Sequence, residues 1–202
     1  GGWSSASRSA GYVFRARYDY DERYLAEFTG RYDGSYKFAG MAHTRWGFFP
    51  SGSVAWRISN EDFMSGVSSV DDLKLRASVG LLGNDSVSPY MFLNSYGQWG
   101  GKVIYPSPNG NTVNVGYGDS GIANMDLTWE KTLSYNVGLD LNMWDSKLGL
   151  EVDAFYNWTY DMLTGNGGGY PSSMGGYYPA YINYNEIDSK GIDIMLSHRN
   201  SF

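Results

Sequence analysis

The sequence predicts an all-β protein, an antiparallel up-and-down transmembrane β-barrel segment with long loops at one end. Three observations lead there. Seven segments alternate apolar and polar side chains at a period of two, so each has one greasy and one polar face. The connections between them tend to alternate between short and long. No stretch approaches the roughly 18 consecutive apolar residues that a membrane-spanning helix requires, which leaves strands as the only way to cross a bilayer.

Taken in order, the first segment sets Tyr12, Phe14, Ala16, Tyr18 and Tyr20 against Val13, Arg15, Arg17 and Asp19. Tyr24 to Asp33 repeats the pattern, with Leu25 as the exception on the polar side. Trp46 to Ile58 alternates more weakly, and its Pro50, which cannot donate to a ladder, suggests a bulge or an exposed strand end. Leu73 to Leu81 is clean: Leu73, Leu75, Ala77, Val79 and Leu81 face one way and Lys74, Arg76, Ser78 and Gly80 the other. Leu133 to Met143 is cleaner still. Leu148 to Met162 makes a strand of about fifteen residues, beyond the usual five or six of a soluble sheet. In the last, Ile192, Ile194 and Leu196 oppose Gly191, Asp193 and Ser197, with Met195 out of phase.

Such alternation fits two architectures, a water-soluble antiparallel sandwich and a membrane barrel. The connections discriminate between them. Tyr20 to Arg23 and Trp144 to Lys147 are tight, Asn60 to Asp72 is intermediate, Gly34 to Arg45 is longer, and Gly83 to Asp126 and Thr164 to Asn185 are very long. Brief turns at one rim and extended loops at the other are the rhythm of an outer-membrane barrel, whereas a compact domain seldom carries even one connection of more than about 15 residues without structure. Tyr20, Tyr24, Trp46, Trp56, Trp129, Trp144 and Trp158 fall near segment ends, where an interfacial girdle places amphipathic rings.

Composition narrows the function. Fifteen Lys and Arg against 21 Asp and Glu give a net charge of -6, so no basic footprint for nucleic acid exists. Cysteine is absent and there are only two His, His43 and His198, which removes thiolate metal sites and leaves little for a catalytic triad. No enzyme, no metal and no cofactor is expected. The glycine run Gly165 to Tyr170 lacks the Lys and Ser or Thr of a phosphate loop.

Seven strands are odd in number and too few for a closed bacterial barrel, and an open sheet in lipid would strand the backbone groups of both edges. Residues 1–202 are therefore expected to be one partial barrel domain.

The wording of the segments carries a resemblance as well. Arg17 to Ser35, Arg45 to Met64, Leu73 to Asp85, Asp126 to Leu163 and Ile187 to Asn200 resemble successive barrel signatures of SusC/RagA-type TonB-dependent outer-membrane transporters. That resemblance implies a barrel of about 22 strands filled by a plug domain, of which this chain would supply about seven strands but neither the plug nor the TonB-contacting segment. It also implies a Gram-negative outer membrane and its lipid, a SusD-like surface lipoprotein as partner, and active import of glycan oligosaccharides or peptides. A passive porin and a soluble carbohydrate-binding sandwich are the alternatives.

Two sets of residues are candidates for touching a solute. Tyr96, Trp99 and Tyr105 in one long loop and Tyr170, Tyr177 and Tyr178 in the other stand among Gly, Ser and Asn. Rigid rings among small polar groups make an adaptable contact surface, suited to a neutral sugar or peptide. On the polar strand faces, Arg15, Arg17, Arg31, Arg76, Glu151 and Asp153 would line the lumen, and most are expected to be structural, pairing with one another or with the absent plug.

Overall fold

A computed structural model describes residues 7–40, 42–105, 112–165, 171, 173, 179 and 181–200. Its main body is a single antiparallel sheet of seven strands in the order β1-β2-β3-β4-β7-β8-β9. These are β1 (Ser9–Tyr20), β2 (Tyr24–Ser35), β3 (Trp46–Arg57), β4 (Val70–Asn84), β7 (Glu130–Met143), β8 (Leu148–Gly165) and β9 (Tyr181–His198). The one-turn helix α1 (Ala42–Arg45) precedes β3, and β5 (Ser95–Tyr105) pairs with β6 (Thr112–Gly121) as a separate two-stranded sheet.

Register is what turns seven two-faced strands into one two-faced wall. Tyr18, Ala26, Val54, Ala77, Val137, Ala154 and Ile192 lie side by side on a single rung across all seven strands. The adjacent rung reads Arg17, Glu27, Ser53, Ser78, Asn136, Phe155 and Gly191. A slip of one residue in any strand would turn its whole apolar set to the wrong side, so the alternation itself fixes the pairing.

Nothing described covers the apolar face: Tyr18 is 64%, Val137 53% and Ile192 68% exposed. A sandwich would bury that face against a second layer of about equal extent. Its tryptophans, Trp46, Trp56 and Trp158, lie toward the two rims, while Phe14, Phe28, Tyr135 and Tyr156 pair between them. Near the tight turns Tyr24 stacks on Trp56 at 6.4 Å, with Tyr20 beside it; toward the loops Tyr32 stacks on Trp46 at 5.0 Å and Trp158 meets Tyr160 at 4.7 Å. On β8 the apolar stripe runs from Leu148 to Trp158, about 33 Å along the strand at about 3.3 Å per residue. With the usual tilt of about 40° that spans about 25 Å, the height of a barrel's apolar band. One aromatic departs from the girdle: Trp129 is only 7% exposed, because it precedes β7 and turns into a buried cluster instead.

The tight turns are built from left-handed residues without glycine. Asp21 and Glu22 sit at φ 54° and 52°, held by the Arg23 amide donating to Tyr20 O and the Glu22 amide donating to the Asp19 carboxylate, both at 3.0 Å. Trp144, Asp145 and Ser146 repeat the device at 58°, 56° and 59°, with Asp71 accepting from the Ser146 amide at 2.8 Å. Between them Glu61 accepts from Tyr24 Oη (2.7 Å), Trp56 Nε1 (2.8 Å) and Arg23 (3.3 Å). Those bonds, the Tyr24 hydroxyl's foremost, hold the Glu61 carboxyl below the usual carboxylate range.

Two expectations need correction. The segment from Gly83 to Asp126 is not all loop, since β5 and β6 form a hairpin within it. Val103, Ile104, Val113 and Val115 supply strand formers there, but the glycines at 97, 100 and 101 interrupt the alternation that would have announced them. The last strand begins at Tyr181, ten residues earlier than the apolar alternation from Gly191 indicates. Residues such as Asn183, Asn185, Asp188 and Lys190 are polar on both faces, so only pairing with β8 could place them in a strand.

Candidate functional site

The polar face and the loop rim are the two places where a solute could meet the chain. On the polar face five of the six expected lumen residues form ion pairs. Arg15 and Arg17 share the Glu27 carboxylate at 2.7 and 3.3 Å, and Arg31 pairs with Asp33 two residues along its own strand at 3.0 Å. Arg76 bridges two strands, giving Nε to Asp140 at 3.0 Å and a terminal nitrogen to Asp153 at 2.6 Å, while Lys74 meets Asp140 at 2.9 Å. Glu151 is the exception: it lies opposite Asp140 and Met195 in register and makes no ion pair among the described residues.

The pairing leaves a gradient of charge across the wall. On β1 and β2 Arg15, Arg17 and Arg31 are matched in number by Asp19, Glu27 and Asp33, whereas Lys74 and Arg76 face four carboxylates, Asp140, Glu151, Asp153 and Asp193, at the β7–β9 side. Between these poles Thr29, Ser51, Ser53, Ser78 and Ser134 surround a shallow depression of about 250 Å³. Small hydroxyls there keep the wall low and give it both donors and acceptors.

Gly138 makes the Arg76 bridge possible. A Cβ at that position would stand 2.6 Å from Asp153 Oδ1 and 2.7 Å from Arg76 Cζ, so the guanidinium lies directly over bare backbone. Gly138→Val is expected to expel Arg76 and strand Asp153, lowering stability in urea by about 1–3 kcal/mol. Gly138→Val in an Arg76→Ala background should cost clearly less, and equal costs in both backgrounds would remove the bridge from the explanation.

At the loop rim, the β3–β4 ladder stops at Ser51 and Gly80, and the two strands part above it. An apolar cluster lies beyond that point. Phe38 and Leu127 are fully buried, Phe49 and Trp129 nearly so, and Leu81, Val87, Met91 and Leu163 pack on them. The Phe38 and Phe49 rings lie 5.4 and 5.2 Å from Trp129, whose Nε1 donates to Arg45 O at 3.2 Å. Ser35 and Lys37 both reach Asp85, at 2.7 and 3.5 Å, tying the loop after β2 to the one after β4. Sequence reasoning missed this collar, because its members come from five separate segments and, apart from Leu81, stand outside the strand period. The adjacency of Phe38 and Ala39, and of Leu127 and Trp129, in otherwise polar connections was the available signal.

Of the loop rings, Tyr96 lies in β5 and is 70% exposed. Trp99 and Tyr105 occupy β5 opposite Gly116 and Thr112, where the structure describes the backbone alone. Tyr170, Tyr177 and Tyr178 lie outside the described residues. Tyr181 and Tyr184, 37% and 78% exposed, extend the ring-bearing surface onto β9. Among the described residues no group of His, Cys, Asp and Glu could hold a metal, and no helix is long and apolar enough to cross a membrane.

Comparison with known proteins assigns the wall to a family. The TonB dependent receptor-like β-barrel family matches residues 3–202. TonB-dependent receptor P3 of Formosa agariphila is 31% identical over 189 residues, which are 92% of this chain and 18% of that protein. TonB-dependent receptor SusC of Bacteroides thetaiotaomicron is 32% identical over 160 residues, 75% of this chain and 15% of that one. Among solved structures the RagAB peptide importer in its closed-closed state superposes with a TM-score of 0.77 at 26% identity, covering 95% of this chain and 20% of its counterpart. The chain thus spans no more than a fifth of the length of these relatives. With its uninterrupted seven-strand wall, one face apolar and the other ionic, the chain belongs to the TonB-dependent receptors, as a stretch of β-barrel of the SusC/RagA type.

Proposed function

We propose that this chain is part of the wall of an outer-membrane importer that takes up nutrient oligomers, glycans or peptides, in a Gram-negative bacterium. The observation that carries the reading is the seven-strand register, which brings the apolar stripes to one exposed face and most of the strands' ion pairs to the other. Such a sheet is comfortable only with acyl chains on one side and a hydrated, protein-filled lumen on the other. Residues 1–202 form a partial barrel domain, and the rest of the protein supplies the remaining strands and a plug through which TonB acts. A SusD-like surface lipoprotein covers the loop rim. The small hydroxyls of the polar wall and the aromatic loop segments, of which residues 164–185 carry no charge, suit a neutral solute held by ring faces and hydroxyls.

The test is uptake by cells producing the full-length protein with its lipoprotein, in a background deleted for other importers of this type. Fluorescein-labelled maltoheptaose and a fluorescein-labelled decapeptide serve as probes. Accumulation of at least one probe is expected, and it should stop when TonB is deleted or the proton gradient is collapsed. Flux that persists without the gradient would instead mark a passive pore.

A further inference from the structure

One side chain joins the loop ends more tightly than its place in the sequence suggests. The β8–β9 ladder breaks register between Thr159 and Leu163, where Asp161 takes φ 54° in a strand. Facing that break, Asn183 donates from Nδ2 to Asp161 O at 2.7 Å and to Thr128 O at 2.9 Å, and its Oδ1 accepts from the Thr128 amide at 3.0 Å. All three bonds agree on one orientation of the amide, since a flip would set N–H against N–H and oxygen against oxygen.

The contacts continue beyond Asn183. Thr128 Oγ1 donates to Thr44 O at 3.4 Å, and the neighbouring Trp129 indole bonds Arg45 O at 3.2 Å, which brings in the loop before β3. Asn124 Nδ2 donates to Tyr181 O at 2.8 Å, and the Ala123 amide bonds Asn94 Oδ1 at 2.7 Å, which brings in the base of the β5–β6 hairpin. A bulge re-aims the strand that carries it. Here the re-aimed β8–β9 extension carries one ring-bearing loop, and Thr128 ends the excursion that carries the other.

We propose that Asn183 is a positioning residue that locks the β8–β9 extension, the base of the β5–β6 hairpin and the α1 loop into one rigid lip. Resting on the import reading above, the lip fixes the two ring-bearing loops relative to each other, so solute capture depends on Asn183 although it need touch no solute. Asn183→Ala removes all three bonds. Asn183→Asp keeps the acceptor but sets a carboxylate against two carbonyls, and should loosen the lip as much as Ala or more. Asn185→Ala, two residues further on and paired with Met162, is the control.

The chain has no cysteine, so spin labels at Leu93→Cys and Tyr181→Cys report the lip directly in the full-length protein with any cysteines outside this chain replaced. A narrow distance distribution by electron–electron double resonance is expected for the parent and the Asn185→Ala variant, and a broad one for both Asn183 variants. A parent distribution already broad, an unchanged one in Asn183→Ala, or equal broadening in Asn185→Ala would overturn the proposal. In uptake assays with the two labelled probes, Asn183→Ala should raise the half-saturating concentration about tenfold at an unchanged maximal rate and unchanged barrel abundance. An unchanged half-saturating concentration despite a loosened lip would overturn the role in capture. Uptake of neither probe by the parent, with the label distances behaving as expected, would sink the import reading and leave the staple standing.

Discussion

Trp129→Ala is expected to cost the loop rim about 3–5 kcal/mol, the range for removing a large aromatic from a packed cluster. The residue is 7% exposed, contacts the Phe38 and Phe49 rings, and loses its bond to Arg45 O together with its packing. The cluster is small, with Phe38, Phe49, Leu127 and Trp129 as its buried members, so a cavity there cannot be relieved by repacking a larger interior. The strand ladders below do not depend on it. Hydrogen exchange should therefore show loss of protection confined to residues around 36–45, 85–93 and 122–129, while β7 and β8 keep theirs. Loss of protection along the whole of β7 would mean that the collar supports the wall as well as the loops.

Val137→Arg tests the wall itself. Val137 is 53% exposed on the apolar rung, between Ala77 and Ala154 in register, near the middle of the apolar band. An arginine there faces hydrocarbon, and the expected cost is about 2–4 kcal/mol, read as a drop in urea stability of the complete barrel in liposomes. Asn136→Arg, one residue away on the polar face beside Ser78, should cost much less. Equal costs at the two positions would show that the two faces do not meet different media, which removes the physical basis of the membrane reading.

The strands were legible because a half-buried strand writes its two environments into alternate residues. Leu73 to Leu81 and Leu133 to Met143 read as strands from sequence and pair as β4 and β7. Where both faces of a strand meet polar surroundings the writing fades, as in Tyr181 to Lys190 of β9, and only the partner strand reveals the element. The lumen candidates were legible as a set but not as partners. That Arg76 reaches Asp140 and Asp153 across two neighbouring strands depends on register and on Gly138 leaving room. Trp129 was read by proximity to a strand end as a girdle ring, yet one that precedes its strand can turn inward, and this one does.

What the sequence by itself determined is the membrane-like wall: the period of two, the placement of polar residues and the tight turns act over a few residues, so they survive in a linear reading. Only the tertiary structure decided the collar, the β5–β6 hairpin and the Asn183 staple. Each joins residues far apart in the chain, such as Asp161, Thr128 and Asn183. Contacts of that kind follow from where the strands deliver their ends, and no local pattern encodes them.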